Sequence, residues 1–310
     1  MEFRRVGGSG LKVSEIGLGC NNFGMRIDQD QTTAVVEAAF EAGIDFFDTA
    51  DVYGGSQSEV MLGKALGTKR ADVLIATKFA MPMGSPRMKG GSRSYVISAI
   101  DASLKRLGTD YVDLYQMHAP DAETPIEETL DALDDIVRAG KVRYIGCSNF
   151  SGWQIADGDW TARSRCRARF ISAQNNFSLL ERNVEREVLP ACDRFGLGLL
   201  PYFPLASGLL SGKYHRGEPA PEGTRLSVAG PRAEQALSDR NFDRLEKLTA
   251  WAADRGHSLL ELAFAWLLSH KDVPSVIAGA TRPEQVKANA AAAAWKLTPG
   301  EATEVAALAK

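Results

Sequence analysis

The chain has 310 residues, of which 45% are hydrophobic and 24% are charged, and its formal net charge is -3 at pH 7. This length and apolar content suit one large domain, 1–310, and the near-neutral charge argues against a nucleic-acid-binding surface. The first residues lack the apolar core of a signal peptide, and no apolar run approaches the ~20 residues of a membrane span. We therefore expect a cytoplasmic protein whose partners include neither nucleic acid nor membrane.

The apolar pattern alternates between strand-like and helix-like periods, which predicts parallel β/α units. A hairpin formed by 3–6 and 11–13 is expected to plug the floor of a barrel. The predicted strands lie near 14–19, 44–49, 73–79, 112–118, 142–148, 170–176, 196–203 and 273–279. The predicted helices lie near 30–43, 56–68, 92–108, 125–140, 151–159, 179–195, 283–294 and 298–309, with a broken helical region at 240–270. Eight strands indicate a (β/α)8 TIM barrel with an N-terminal β-hairpin floor and extra C-terminal helices.

Metal binding is not predicted. Cys20, Cys147, Cys166 and Cys192 show no CxxC spacing, and the histidines form no HxH or HExxH pattern. The cysteines are interpreted as small buried residues in a reducing compartment.

Four polar residues lie at or just beyond the ends of three successive predicted strands. Asp48 and Tyr53 belong to the second strand and its turn, Lys78 to the third strand, and His118 to the fourth. Because the carboxyl ends of barrel strands converge on one face, the four are expected to share a site. Taken singly, they are also compatible with a turn cap, a packing aromatic, a surface lysine and a core histidine. Their coincidence at the same end of the strands favours the site.

This set suits proton donation to a carbonyl oxygen. Free tyrosine has a pKa near ~10, and a nearby Lys78 ammonium is expected to lower it by stabilising the phenolate. Asp48 would hold Lys78 in place, and His118 would orient the substrate oxygen or help to pass the proton. Such general acid catalysis needs a hydride from a cofactor to complete a reduction.

In order and spacing these motifs resemble the aldo-keto reductases, and more closely their bacterial and potassium-channel-β-like branch. The matching segments are 17–19, 48–54, 77–78, 118–120, 146–150, 174–175, 202–205, 208–213 and 279–285. The resemblance implies a (β/α)8 barrel and nicotinamide-dependent reduction of an aldehyde or ketone, with Tyr53 as the acid.

The resemblance also implies cofactor contacts at matched positions. The nicotinamide end is assigned to Ser148, Asn149, Gln174 and the stacking ring of Tyr202. The pyrophosphate is assigned to backbone N–H groups of Leu205, Ser207, Gly208 and Leu209, with the charge of Lys213. The adenosine end is assigned to Gly279, Thr281, Arg282, Gln285 and Asn289. Arg282 is the candidate for a 2′-phosphate, so NADP(H) is expected, with NAD(H) as the alternative.

The chain departs from the family pattern at several positions. Ala278 replaces a frequent proline, Ala288 a frequent glutamate and Phe203 a usual serine. The first loop, 20–25, lacks the tryptophan that is common there, so substrate choice is expected to differ. Phe23, Phe79 and Phe150 are candidates for the pocket wall. The segment 213–225, with Lys213, Arg216 and Arg225, is predicted to fold over bound cofactor.

Two other functions remain open at this point. In one, the barrel binds NADPH or NADP as a sensor for a protein partner, as the channel-β resemblance allows. In the other, it is a metal-dependent hydrolase or isomerase, for which the ligand pattern is lacking. The sequence is compatible with a monomer or a homo-oligomer.

Overall fold

The computed structural model describes residues 1–228 and 230–310, with the main chain alone for Arg232. A hairpin of β1 (Phe3–Arg5) and β2 (Lys12–Ser14) precedes a sheet of eight parallel strands. These strands are β3 (Ile16–Gly19), β4 (Phe46–Asp48), β5 (Leu74–Phe79), β6 (Val112–Met117), β7 (Val142–Ser148), β8 (Phe170–Asn176), β9 (Gly198–Tyr202) and β10 (Val276–Gly279). The predicted (β/α)8 barrel is confirmed.

The barrel is nearly closed. β3 pairs with β4 on one side and with β10 on the other, and the remaining strands follow in chain order to β9. Between β9 and the segment that leads into β10, the Leu199 N–H donates to the Asp272 carbonyl at 2.6 Å. At the amino-terminal end of the strands, Val6 and Val13 of the hairpin segment are fully buried against the barrel interior. The hairpin therefore forms the predicted floor.

The helices surround the sheet and bury their apolar faces against it. They are α1 (Gln29–Glu41), α2 (Gln57–Leu66), α3 (Arg93–Leu107), α4 (Ile126–Arg138), α5 (Gly152–Ser164), α6 (Val188–Phe195), α7 (Pro231–Ala236), α8 (Asp239–Ala253), α9 (Leu259–Leu268), α10 (Pro283–Ala292) and α11 (Pro299–Leu308). The main core lies between this layer and the outer face of the strands. In the described residues no helix has the length and apolar character needed to cross a membrane.

The structure corrects the helix predicted at 179–195. Only its second half is α-helical, as α6, and a short 3-10 turn at Asn183–Glu185 precedes it. The reason is local: the Ser178 hydroxyl accepts hydrogen bonds from the N–H groups of Leu180 and Glu181. Such a serine turn competes with helical hydrogen bonding.

Candidate active site

The carboxyl ends of the strands bring the four predicted catalytic residues together. Asp48 ends β4, Tyr53 lies in the turn that follows it, and Lys78 is the penultimate residue of β5. His118 directly follows β6, and its backbone N–H donates to the Phe79 carbonyl at 2.8 Å. Parallel pairing keeps these ends level, so side chains that are distant in sequence reach one space.

Lys78 is the centre of this group. Its ammonium is fully buried and donates to Oδ2 of Asp48 at 2.6 Å, to the Thr49 carbonyl at 2.8 Å and to the Tyr53 hydroxyl at 3.3 Å. The Tyr53 and His118 rings meet edge to face, with centroids 5.7 Å apart. Lys78 therefore bridges the carboxylate and the phenol, as the sequence predicted.

Charge and burial act against each other at these groups. Burial disfavours the ammonium, but Asp48 and Tyr53 outweigh burial and raise the pKa of Lys78. The expected lowering of the Tyr53 pKa is wrong: burial raises it, and Lys78 offsets only part of that effect. The phenol consequently keeps its proton at neutral pH and is available as an acid.

His118 is neutral in this setting. Burial, reinforced by the Lys78 charge, lowers the pKa of the imidazole to about 3. Its Nδ1 is buried and has no hydrogen-bond partner among the described residues. A neutral imidazole has a single N–H to donate, which suits hydrogen bonding to a substrate oxygen rather than proton supply.

A cavity of about 880 Å³ opens over this group and extends toward β10. Most of the predicted site residues line it: Asp48, Tyr53, His118, Ser148, Asn149, Gln174, Tyr202, Leu205, Ser207, Gly208, Lys213, Gly279, Thr281, Arg282, Gln285 and Asn289. Two do not. Lys78 lies buried behind Asp48 and Tyr53, and Leu209 is 3% exposed within the core. The cavity runs from Tyr53 to the proposed adenosine end, as an extended dinucleotide requires.

The residues proposed for the nicotinamide form hydrogen bonds with one another and with Asp48 and His118. The Tyr202 hydroxyl donates to Oδ1 of Asn149 at 2.8 Å, and Nδ2 of Asn149 donates to the His118 carbonyl at 2.9 Å. Nε2 of Gln174 donates to Oδ1 of Asp48 at 2.8 Å. Asn149 adopts a left-handed backbone at φ 61°, which directs its amide across the strand ends. These amides and the Tyr202 ring fit a flat carboxamide-bearing ring beside Tyr53.

The loop after β9 and the cations around it fit a phosphate-bearing group. Leu205 has φ -100° and Ala206 has φ 46°, and such a change of hand between neighbours turns successive backbone N–H groups toward one side, where an anion can bind. The Gly208 N–H donates to the Leu205 carbonyl at 2.8 Å, so its predicted pyrophosphate contact requires that bond to be shared. Cations line this part of the cavity: Arg26, Lys213, Arg225 and Arg282.

Two residues that line the cavity, Asn22 and Arg26, were not predicted from the sequence. Asn22 has a buried Oδ1 without a partner in the described chain, and it could have been flagged as a polar residue after an apolar strand. Arg26, the residue directly after the first loop, donates to the Gly223 carbonyl of the segment 213–225 at 2.7 Å. Arg26 and Gly223 are 197 positions apart, so no local sequence pattern could predict this contact.

Two other expectations are corrected. Phe23, Phe79 and Phe150 are at most 3% exposed and belong to the core rather than to the pocket wall. In the segment 213–225, Arg216 points away from the cavity, because its guanidinium binds Asp239 and Glu246 of α8 at 2.8 Å. Arg225 does line the cavity and lies 5.0 Å above the Phe203 ring.

The sequence matches the model of the aldo/keto reductase family over residues 15–310. The chain belongs to this family. As a member it is an oxidoreductase of carbonyl compounds, in a family that generally uses NAD(P)H.

Its relatives carry several different names. The chain is 38% identical over 297 residues to a "Probable voltage-gated potassium channel subunit beta" of Oryza sativa subsp. japonica, covering 93% of this chain and 90% of the relative. It is 35% identical over 330 residues to a versiconal hemiacetal acetate reductase of Aspergillus parasiticus, covering 97% and 95%. It is 34% identical over 302 residues to an L-glyceraldehyde 3-phosphate reductase of Escherichia coli (strain K12), covering 93% and 86%.

Proposed function

We propose that this protein is an NADP-dependent aldo-keto reductase that reduces an aldehyde or ketone to the alcohol, with Tyr53 as the general acid. The observation that carries the proposal is the Lys78 ammonium, which contacts both the Asp48 carboxylate and the Tyr53 hydroxyl behind the cavity wall. In this arrangement the phenol is protonated before the reaction, and the cation stabilises the phenolate that proton donation leaves behind.

Each residue of the site has a separate role in this reaction. Tyr53 donates its proton to the carbonyl oxygen, while the neutral His118 donates a hydrogen bond that orients the same oxygen. Asp48 fixes Lys78, and Gln174 and Gln116 in turn hold Asp48 through bonds of 2.8 and 3.3 Å. The nicotinamide, when bound, supplies the hydride. Ser148, Asn149 and Gln174 would bind its carboxamide, and Tyr202 would cover its outer face.

The preference for NADP is inferred from charge. Arg282 is exposed at the start of α10 and lines the cavity. The side chain of Gln285 accepts a bond from the Thr281 N–H at 2.8 Å and shapes the same turn. A guanidinium at this position suits a 2′-phosphate, which NAD lacks.

The proposal is tested with purified protein and a panel of aldehydes and ketones, with loss of NADPH absorbance as the measurement. Reduction of at least one carbonyl compound, with NADH slower than NADPH, is the expected result. Absence of turnover with every compound, despite tight NADPH binding, would overturn the enzymatic role.

That outcome would favour a second function, as a cofactor-binding subunit. The relatives named as potassium channel subunits make it worth testing. Slow turnover together with very slow release of NADP would distinguish such a sensor from a reductase.

A further inference from the structure

A second buried ionisable cluster lies behind the turn that carries Tyr53. Asp51 is 2% exposed and stands two residues before the proposed acid. Its Oδ2 accepts one hydrogen bond, from the Tyr95 hydroxyl of α3 at 3.3 Å, and its Oδ1 has no partner among the described groups. A buried carboxylate with one weak donor is poorly compensated.

The nearest charges do not neutralise Asp51. Glu59 of α2 is fully buried, and it already takes the Arg106 guanidinium at 2.6 Å and the Thr77 hydroxyl at 2.6 Å. The ionisable groups around Asp51 are Glu59 on α2, Tyr95 and Arg106 on α3, and Tyr115 on β6. Two carboxylates thus share one cation inside the protein, a situation that favours a proton on one of them.

The Arg106 guanidinium is paired with Glu59, so Asp51 is the carboxyl group that keeps a proton. Burial, and then the Glu59 charge, raise the pKa of Asp51 to about 7. Tyr115 is consistent with this, since its hydroxyl is also buried and unpartnered in the described chain. A neutral Asp51 has an O–H to donate besides the oxygen that accepts from the Tyr95 hydroxyl, whereas an ionised Asp51 can only accept.

Hydrogen bonds and the chain itself also connect Asp51 to the active site. Its backbone N–H donates to the carbonyl of Lys78 at 3.3 Å, while its side chain reaches Tyr95 on α3. Its turn continues directly into Tyr53, whose N–H donates to the Ala50 carbonyl at 3.2 Å. A shift of Asp51 would therefore change the 3.3 Å contact between Lys78 and the Tyr53 hydroxyl.

We propose that Asp51 is a positioning residue that acts through its proton: the neutral carboxyl holds the Tyr53 turn in its reactive position, and ionisation loosens it. The proposal rests on the proposed reductase function. It adds to that function a decline of carbonyl reduction with rising pH that belongs to none of the four active-site residues.

The kinetic test compares kcat at saturating NADPH and carbonyl substrate from pH 5 to pH 9. Wild-type kcat should fall with a midpoint near pH 7, by roughly 10-fold between pH 6 and pH 8 for one ionisation. Asp51→Asn keeps the shape of the side chain, but an amide does not ionise in this range. The dependence of its kcat on pH should therefore be flat from pH 5 to pH 9. Tyr95→Phe removes a bond that stabilises the ionised form and should move the midpoint upward.

A second test does not depend on activity. Because the folded protein holds the Asp51 proton more tightly than the unfolded chain, the free energy of unfolding should fall as pH rises from about 4 to about 7. Asp51→Asn removes this loss and should raise the melting temperature at pH 8 more than at pH 5. Infrared spectra at pH 6 should show a protonated carboxyl band that Asp51→Asn lacks.

A matched control uses another buried aspartate. Asp113 is fully buried but is paired with Arg70 and Arg143 at 3.0 and 2.8 Å. Asp113→Asn should lower the melting temperature at pH 8, the opposite of Asp51→Asn. A pH profile that keeps its midpoint near 7 in Asp51→Asn overturns the proposal while the reductase function stands. If the wild-type protein reduces no carbonyl compound, both the reductase function and the proposal for Asp51 are overturned. The melting curves would then still report the protonation of Asp51.

Discussion

The ammonium of Lys78 lies 2.6 Å from Oδ2 of Asp48, and both side chains are almost completely withdrawn from solvent. Such a pair gains little over an apolar pair of the same shape, but the loss of one partner leaves an uncompensated buried charge. In this protein the pair also sets the charge beside Tyr53. Its stability and its catalytic effect can therefore be measured separately.

Lys78→Met should lower the free energy of unfolding by about 3–5 kcal/mol, because Asp48 then remains buried without its cation. Adding Asp48→Asn should recover part of this loss. Lys141→Met is the control, since Lys141 forms a partly exposed pair with Asp101, and such pairs contribute about 0–1 kcal/mol. Urea unfolding curves measure all four proteins. Equal stability of Lys78→Met and wild type would contradict the buried pair.

Tyr53→Phe should reduce turnover by roughly 10²–10⁴, the contribution typical of a general acid. NADPH binding, followed by the protein fluorescence change on titration, should stay close to wild type because the ring is kept. Tyr144→Phe is the control: it deletes the same hydroxyl from β7, near Gly10 of the hairpin. Wild-type turnover in Tyr53→Phe would exclude Tyr53 as the proton donor.

The strand ends explain why the proximity of Asp48, Lys78 and His118 could be predicted from the sequence. Asp48, Lys78 and His118 lie at the carboxyl ends of strands whose apolar patterns are local, and barrel geometry then brings these ends together. Phe79 was wrongly predicted to line the pocket. Successive strand residues face opposite sides, so Lys78 inside the barrel places Phe79 outside, stacked on Tyr115 with centroids 4.8 Å apart.

Other features had no local signal. The burial of Asp51 depends on α2 and α3 packing over its turn, and the raised pKa of Tyr53 depends on how completely its surroundings exclude water. Both are tertiary effects. The sequence predicted Tyr53 at the site and gave no role to Asp51, and it could not establish the balance between burial and charge that decides their protonation.

Arg282→Ala should weaken NADPH binding by roughly 10- to 100-fold, the equivalent of a charge-assisted bond of about 1.5–3 kcal/mol. NADH binding should hardly change, because NADH has no 2′-phosphate. Lys287→Ala is the matched control: Lys287 lies on the same helix, α10, but pairs with Glu41 outside the cavity. Fluorescence titration with each cofactor gives the affinities. An equal loss for NADPH and NADH would make Arg282 a structural residue.

The segment 213–225 is predicted to close over bound cofactor and to slow its release. Across the cavity, Arg26, the residue directly after the first loop, donates a hydrogen bond to the Gly223 carbonyl of this segment at 2.7 Å. Burial, and then the nearby Arg26 charge, lower the pKa of Arg225, so an anion bound beside these two guanidinium groups would be stabilised. A cofactor phosphate would supply that anion and draw the segment inward.

Arg26→Ala should therefore speed NADPH release by about 10-fold, as expected for the loss of roughly 1.4 kcal/mol, and Arg5→Ala on the distant hairpin should not. Stopped-flow displacement of NADPH measures the rates. In parallel, trypsin should cut wild type after Lys213, Arg216 or Arg225 less readily once NADPH is bound, and Arg26→Ala should lose much of this protection. Cleavage within 213–225 that NADPH leaves unchanged in wild type would show that the segment is an ordinary surface loop, with release controlled elsewhere in the site.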